Sequence, residues 1–302
     1  MEEKEPVNKI ELFNISASAS PSPYDSRDLK INEDSLFVDI PDEYEEPTDY
    51  IDRVHQKKIG CCTMASLTKL LEELEYKKTG IYTPLSVRFS YTVLKRYIDL
   101  NVLEGSSMRN ALKAMQKIGT VPESMYPSDF SLTHDEFIAG EISDELLREA
   151  KNHRIGAYFQ GINDKSLIPR YIKKYGMIYA RFECGLSWYS DIDGNVTWIP
   201  DLIMPLRQPN PVVSGHAVLL KKYNLNDRWQ TWVFNSWGRA WGKGGDAFYY
   251  PDDFGPTEVW IVTLDPVPEI TGVSIKKEVL IESDQKGWRK FFDLIRSLGN
   301  FK

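Results

Sequence analysis

The first sustained pattern of hydrophobic and polar positions begins at Cys62. In CCTMASLTKLLEELEYKKTG, the apolar residues Met64, Leu67, Leu70, Leu71 and Leu74 recur at three- and four-residue spacing, which predicts an amphipathic helix. Lys77 and Lys78 suit the negative end of its dipole, and Gly80 can end it. Further helices are predicted at LSVRFSYTVLKRYIDL (85–100) and SMRNALKAMQKIG (107–119). From about residue 156 the pattern changes. MIYARFEC, HAVLLKKYN, RWQTWVFN, DAFYYP and EVWIVTLD are β-branched and aromatic, with turn residues between them, and predict strands. SLFVDIP (35–41) predicts a further short strand, and SDIDGNV a hairpin turn. As a calcium loop SDIDGNV has its glycine at the fourth position instead of the sixth.

This order divides the chain into an N-terminal arm (1–50), a helical part (51–155), a strand-rich part (156–265) and a tail (266–302). The predicted class is α+β, with a cleft between a helical and a β-rich lobe. In the tail, Trp288, Phe291, Phe292, Ile295 and Leu298 fall on one helical face. That face is expected to dock on the chain's own body, on a protein partner in an assembly or, as the third alternative, on a membrane surface.

Charge sharpens the picture of the arm. Residues 1–50 hold 14 acids and 4 bases, a balance of −10, whereas the other 252 residues balance at +3 within a net charge of −7. The acidity therefore belongs to the arm. The body lacks the basic stripe expected of a nucleic-acid binder. No apolar run approaches the roughly 20 residues that cross a bilayer, and MEEKEPVNKI lacks the apolar segment of a secretory signal. The three cysteines are Cys61, Cys62 and Cys184. Neighbouring cysteines rarely pair, because the bond geometry is strained. A reducing compartment is therefore expected, cytoplasmic or virion-associated.

The candidate chemistry is nucleophilic. Cys62 stands at a predicted helix start, where free amides and the dipole favour a thiolate. Such a cysteine needs a histidine to share its proton and a third group to orient the ring. Among the four histidines, His216 follows Ser214-Gly215 and opens a strand, whereas His55, His134 and His153 lie in polar surroundings and read as surface residues. Asn235 follows His216 by nineteen residues (235 − 216) and ends the strand WVF, so neighbouring strands can bring the two together.

QKKIGCC (56–62), SGHAVLL (214–220) and FNSWGRAWGKGG (234–245) resemble the three signature blocks of papain-like cysteine peptidases, especially bacterial and viral members. EGSSMRNALKAMQKIGTVPESMYP (104–127) is similar to the family's substrate-strand loop and following helix. The resemblance covers roughly residues 50–265. It implies a two-lobed fold with a helical N-terminal lobe, an antiparallel β-barrel-like C-terminal lobe and an active site between them. It implies Cys62 as nucleophile, His216 as proton carrier, Asn235 as the group orienting His216, and Gln56 as oxyanion donor with the Cys62 N–H. The six-residue spacing from Gln56 (62 − 56) selects Cys62 over Cys61. Trp237 would cover the His–Asn hydrogen bond, Gly105 and Ser106 would pair with the substrate backbone, and Ala217 would face the main side-chain pocket. The implied substrate is a polypeptide, with no cofactor and no metal.

The sequence departs from the usual family pattern in lacking the first cysteine of Cys-Gly-Ser-Cys and in placing Thr63 where an aromatic residue follows the nucleophile. The arm is also shorter than the inhibitory segment of lysosomal relatives, yet its acidity and closeness to the site make it a candidate to lie across the cleft. The expected function is a phage- or bacteria-encoded endopeptidase. The alternatives are a non-catalytic subunit of a larger viral assembly that keeps the fold, and a non-peptidase thiol hydrolase or transferase such as a cell-wall amidase, against which the NSWG block speaks.

Overall fold

The computed structural model describes residues 17–26, 28–31, 36, 38–162, 164–185, 188, 214–226 and 228–265. The hairpin SDIDGNV and the amphipathic tail lie outside the described residues. In chain order the principal elements are β1 (Ala19–Ser20), β2 (Glu43–Glu45), α1 (Cys62–Thr79), α2 (Val87–Val93), β3 (Ser106–Ser107), α3 (Met108–Lys117), α4 (His134–Ala139), α5 (Asp144–Glu149), β4 (Ala157–Gln160), α6 (Ile168–Tyr175), β5 (Ile178–Cys184), β6 (Ser214–Asn224), β7 (Gln230–Phe234), β8 (Asp246–Tyr249) and β9 (Glu258–Thr263).

Helix α1 is the axis of the helical half. Every residue from Cys62 to Glu73 is buried, so its first three turns are enclosed on all sides. Its last turn holds Lys77 and Lys78, and Gly80 closes it with φ +71°, a left-handed conformation that costs glycine little. At the other end Cys61 is the N-cap but makes no side-chain capping bond, which leaves the positive end of the helix uncapped beside Cys62. The helix predicted over 85–100 is an α-helix to Val93 and then widens into a π-helix over Leu94–Asp99.

The strands form one antiparallel sheet with the path β4-β9-β5-β6-β7-β8, and β2 adds to the far end of β6. The path is open among the described residues, so the sheet does not close into a barrel. One apolar cluster joins the two halves, with Cys62, Leu67 and Leu70 of α1 packed together with Ala217, Leu219 and Trp260 of the sheet. Among the described residues, no helix is long and apolar enough to cross a membrane.

Several expectations need correction. The described residues of SLFVDIP form no strand; the strand of this region is Glu43–Glu45, a few residues later. That strand is charged, and ion pairs across the β2–β6 edge (Glu43 and Glu45 with Lys222, Glu45 with Lys221) hold it, not apolar alternation. The strand-rich part also contains α6, which has a proline in its first turn. His153 is half-buried beside Glu75, and His134 is half-buried with its ring on the Val102 carbonyl, so neither is a plain surface residue.

Candidate active site

His216 lies on β6 and Asn235 follows β7, and the pairing of these strands (Leu219 opposite Phe234) brings the two side chains together. His216 Nε2 lies 2.7 Å from Asn235 Oδ1. That oxygen also accepts from the Ser236 N–H at 2.8 Å. An atom that accepts a backbone N–H is the oxygen of the amide, so His216 Nε2 is the donor and bears the ring proton. Nδ1 of the neutral ring is then the basic nitrogen, and it is buried with no hydrogen-bond partner among the described residues. Trp237 stacks on the imidazole at 4.5 Å between ring centroids with 27° between planes, and Trp188 meets it edge-on at 5.6 Å. Both indoles are buried, so water is kept from the His–Asn bond.

Cys62 opens α1, and the Ser66 hydroxyl of the same helix donates to the Ala217 carbonyl at 2.9 Å, which ties α1 to the strand residue after His216. Gln56 is fully buried. Its backbone N–H donates to Ser236 O at 2.9 Å, and its Oε1 accepts from Ser236 Oγ at 2.5 Å. Ser236 thus clamps Gln56 to the same turn that holds Asn235. Gln56 Nε2 donates to Ile59 O at 3.0 Å, across the loop that leads to Cys62. Cys61 is a buried thiol, as is Cys184, and all three cysteines are free.

The arm occupies the cleft. β1 pairs in parallel with β3, Ala19 opposite Ser106 and Ser20 opposite Ser107. Of Gly105 and Ser106, the residues expected to pair with a substrate, Ser106 here pairs with Ala19 of the chain's own N-terminal segment and Gly105 lies against Ser18. Gly105 has φ +80°, and a β-carbon there would collide with Ser18. The Ser18 hydroxyl donates to Gly60 O at 2.9 Å, two residues before Cys62. Farther along, Ser22 N donates to Glu258 at 3.0 Å, and Arg109 of α3 binds Asp28 through two nitrogens.

Burial sets the protonation of this closed form. It pushes the Cys62 thiol up, partly offset by hydrogen bonding from Ser18 and Ala217. It pushes His216 down to about 4, against the opposing effect of Asn235. Both shifts favour the neutral pair, because a dry cleft disfavours charge on either group. Readmitting water weakens that penalty on both groups.

The loop that carries Gly105 is braced from behind by residues that sequence reasoning passed over. Lys95 Nζ bonds Gly105 O at 2.9 Å and Asp99 at 2.8 Å, the Tyr91 hydroxyl accepts from Gly105 N at 3.0 Å, and Asp99 also accepts from Ser106 and Asn110. Ser236, Trp188, Arg181 and Glu258 were likewise missed. Ser236 sits inside the NSWG block beside Asn235, whereas the other three sit in runs that look like ordinary strand or loop, and only a long-range partner marks each. Among the described residues, no group of histidine, cysteine and acidic side chains is arranged to hold a metal ion.

No protein-family model matches the chain, and no curated protein matches it by sequence. Solved structures do match. The chain is similar to xylellain, a cysteine protease from Xylella fastidiosa, with 20% identity and a TM-score of 0.73 over 83% of this chain and 96% of that one. It is similar to procathepsin B S9 from Trypanosoma congolense, with 14% identity and a TM-score of 0.65 over 86% and 90% of the two chains. Digestive procathepsin L 3 of Tenebrio molitor matches with 16% identity and a TM-score of 0.63 over 84% and 78%. The fold is therefore papain-like.

Proposed function

We propose that this chain is a cysteine peptidase that hydrolyses polypeptides through an acyl-enzyme on Cys62, and that the arm-seated form is its latent state. The observation that carries the reading is the His216 Nε2–Asn235 Oδ1 bond under Trp237, beside a cysteine at a helix N-terminus. In the cycle, Cys62 gives its proton to His216 Nδ1 and attacks the scissile carbonyl. The tetrahedral oxyanion is met by the Cys62 N–H and by an N–H of Gln56 Nε2, an amide nitrogen with two hydrogens. His216 then protonates the leaving amine, and water delivered through the same ring hydrolyses the thioester. Asn235 holds the ring in the tautomer that this sequence requires. The similarity to solved cysteine proteases supports the same reading.

Substrate enters where β1 now lies, so Gly105, Ser106 and the wall at Ala217 become the substrate-binding surface once the arm leaves. The proposed setting is reducing, in keeping with three free thiols, and the proposed source is a phage or a bacterium. The test is hydrolysis of a denatured protein by the full chain and by a chain truncated before residue 46, each with a Cys62→Ser control. Cleavage that is faster after truncation and absent in the control supports the reading. Intact substrate with both parent chains favours a non-catalytic subunit that keeps the fold.

A further inference from the structure

The recess beside the nucleophile is filled by a charged side chain. Arg181, in the middle of β5, stands in register with Ala217 on β6 and with Glu258 on β9. Directly paired residues share a face, so these three side chains line one side of the sheet. That side is the cleft wall, because Ala217 packs in one cluster with Cys62 and with Ala19 of the arm. Arg181 is 6% exposed. Its guanidinium runs against Gly215 and takes the space a β-carbon would need there. Nη1 bonds to Thr257 Oγ1 at 2.7 Å, and Nε bonds to the Ala19 carbonyl at 2.8 Å. A buried guanidinium fixed at both ends cannot swing aside without stranding its charge.

The side chain seated beside it is small. Ala19 is 2% exposed and packs in one cluster with Met108, Ala217 and Trp260. Glu258 closes the recess from the next strand, held by Trp260 Nε1 at 2.6 Å and by Ser22 N at 3.0 Å. A methyl group fits this space. A leucine or phenylalanine side chain would need volume that Arg181 occupies, and would meet a charged group there instead of an apolar wall.

We propose that Arg181 is a specificity-determining residue: it restricts the substrate position next to the one lying over Cys62 to glycine, alanine or serine, while its Nε–H binds the main-chain carbonyl of that position. This rests on the peptidase reading above.

The test uses the full chain in a double-mutant cycle at Ala19 and Arg181. Seating of the arm is read as the rate of Cys62 alkylation by iodoacetamide, located by mass spectrometry. Ala19→Leu should raise that rate at least tenfold in the parent, by expelling the arm. In an Arg181→Ala background the same change should slow alkylation, because leucine fills the vacated space. An equal effect of Ala19→Leu in both backgrounds overturns the proposal. A fluorogenic peptide library gives a second reading that needs no variant: the parent should cleave small residues at this position at least tenfold faster than leucine or phenylalanine, and a parent preference for the large residues overturns the proposal. If no peptide is cleaved by the parent or by the chain truncated before residue 46, the peptidase reading falls, and the alkylation cycle still decides whether Arg181 sizes the recess.

Discussion

Asn235 Oδ1 accepts two hydrogen bonds, one from His216 Nε2 at 2.7 Å and one from the Ser236 N–H at 2.8 Å. The second bond fixes which way the amide faces, and through it which nitrogen of His216 holds the proton. Replacing Asn235 with alanine frees the ring to rotate and to change tautomer. Hydrogen bonds to a group that becomes charged contribute about 1.5–3 kcal/mol. The expected loss in kcat/KM is therefore roughly 10- to 150-fold, with Cys62 still present as a titratable thiol by mass-spectrometric labelling.

In the proposed cycle Gln56 acts at a different stage. Its carboxamide is clamped by Ser236 Oγ and by Ile59 O, so the side chain is already positioned before any substrate arrives. Gln56→Ala should lower kcat by about 10²–10³, the usual effect of losing one oxyanion donor. Alkylation of Cys62 should change far less, because iodoacetamide forms no tetrahedral oxyanion. Comparing the two rates in one variant separates this role from a general loss of structure.

The burial of His216 makes a prediction about acid. Its pKa is depressed to about 4 in the closed form, against an ordinary 6.5. Between these values the unfolded chain binds a proton that the folded chain refuses, so stability rises with pH across this window. The contribution is fully present above about pH 6.5 and is lost progressively as pH falls toward 4, by about 3 kcal/mol in all. Urea unfolding at pH 7 and pH 4.5 measures it, and His216→Gln should flatten that part of the pH dependence.

The arm is held at a distance from the nucleophile by charge. Arg109 binds Asp28 through Nε at 2.9 Å and through Nη2, with both side chains nearly buried. Asp28→Asn removes the negative partner and keeps the shape. The arm should then leave the cleft more often, and Cys62 alkylation in the full chain should rise about 10-fold or more, in line with the 1.5–3 kcal/mol of a charge-assisted bond. A chain that lacks residues 1–45 has no arm to seat and should react at least as fast as Asp28→Asn.

What the sequence made legible follows from how local each signal is. The helix from Cys62 to Thr79 announces itself through its apolar spacing and through Gly80. The Gln56, Cys62, His216 and Asn235 blocks stand out as short contiguous motifs, and the strands that hold His216 and Asn235 are β-branched and aromatic. The arm's path gave no such signal. A two-residue strand has no periodicity, and Ala19 and Ser20 are extended because Ser106, Ser107 and Arg181 receive them across the cleft. Arg181 was hidden inside the run MIYARFEC, where it and Glu183 are the two charges and nothing local singles it out. In the structure it is buried against Ala19, so its meaning depends on a partner 162 residues away.

The most direct measurement is the mass of the enzyme after it meets a slowly deacylating peptide ester. The truncated chain is mixed with the ester, quenched in acid and digested for mass spectrometry. Cys62 as the nucleophile requires an acyl adduct on Cys62 in the truncated parent, none in Cys62→Ser, and a much slower adduct in His216→Ala. Ester turnover that persists in Cys62→Ser, or an adduct found only on another residue, would contradict it.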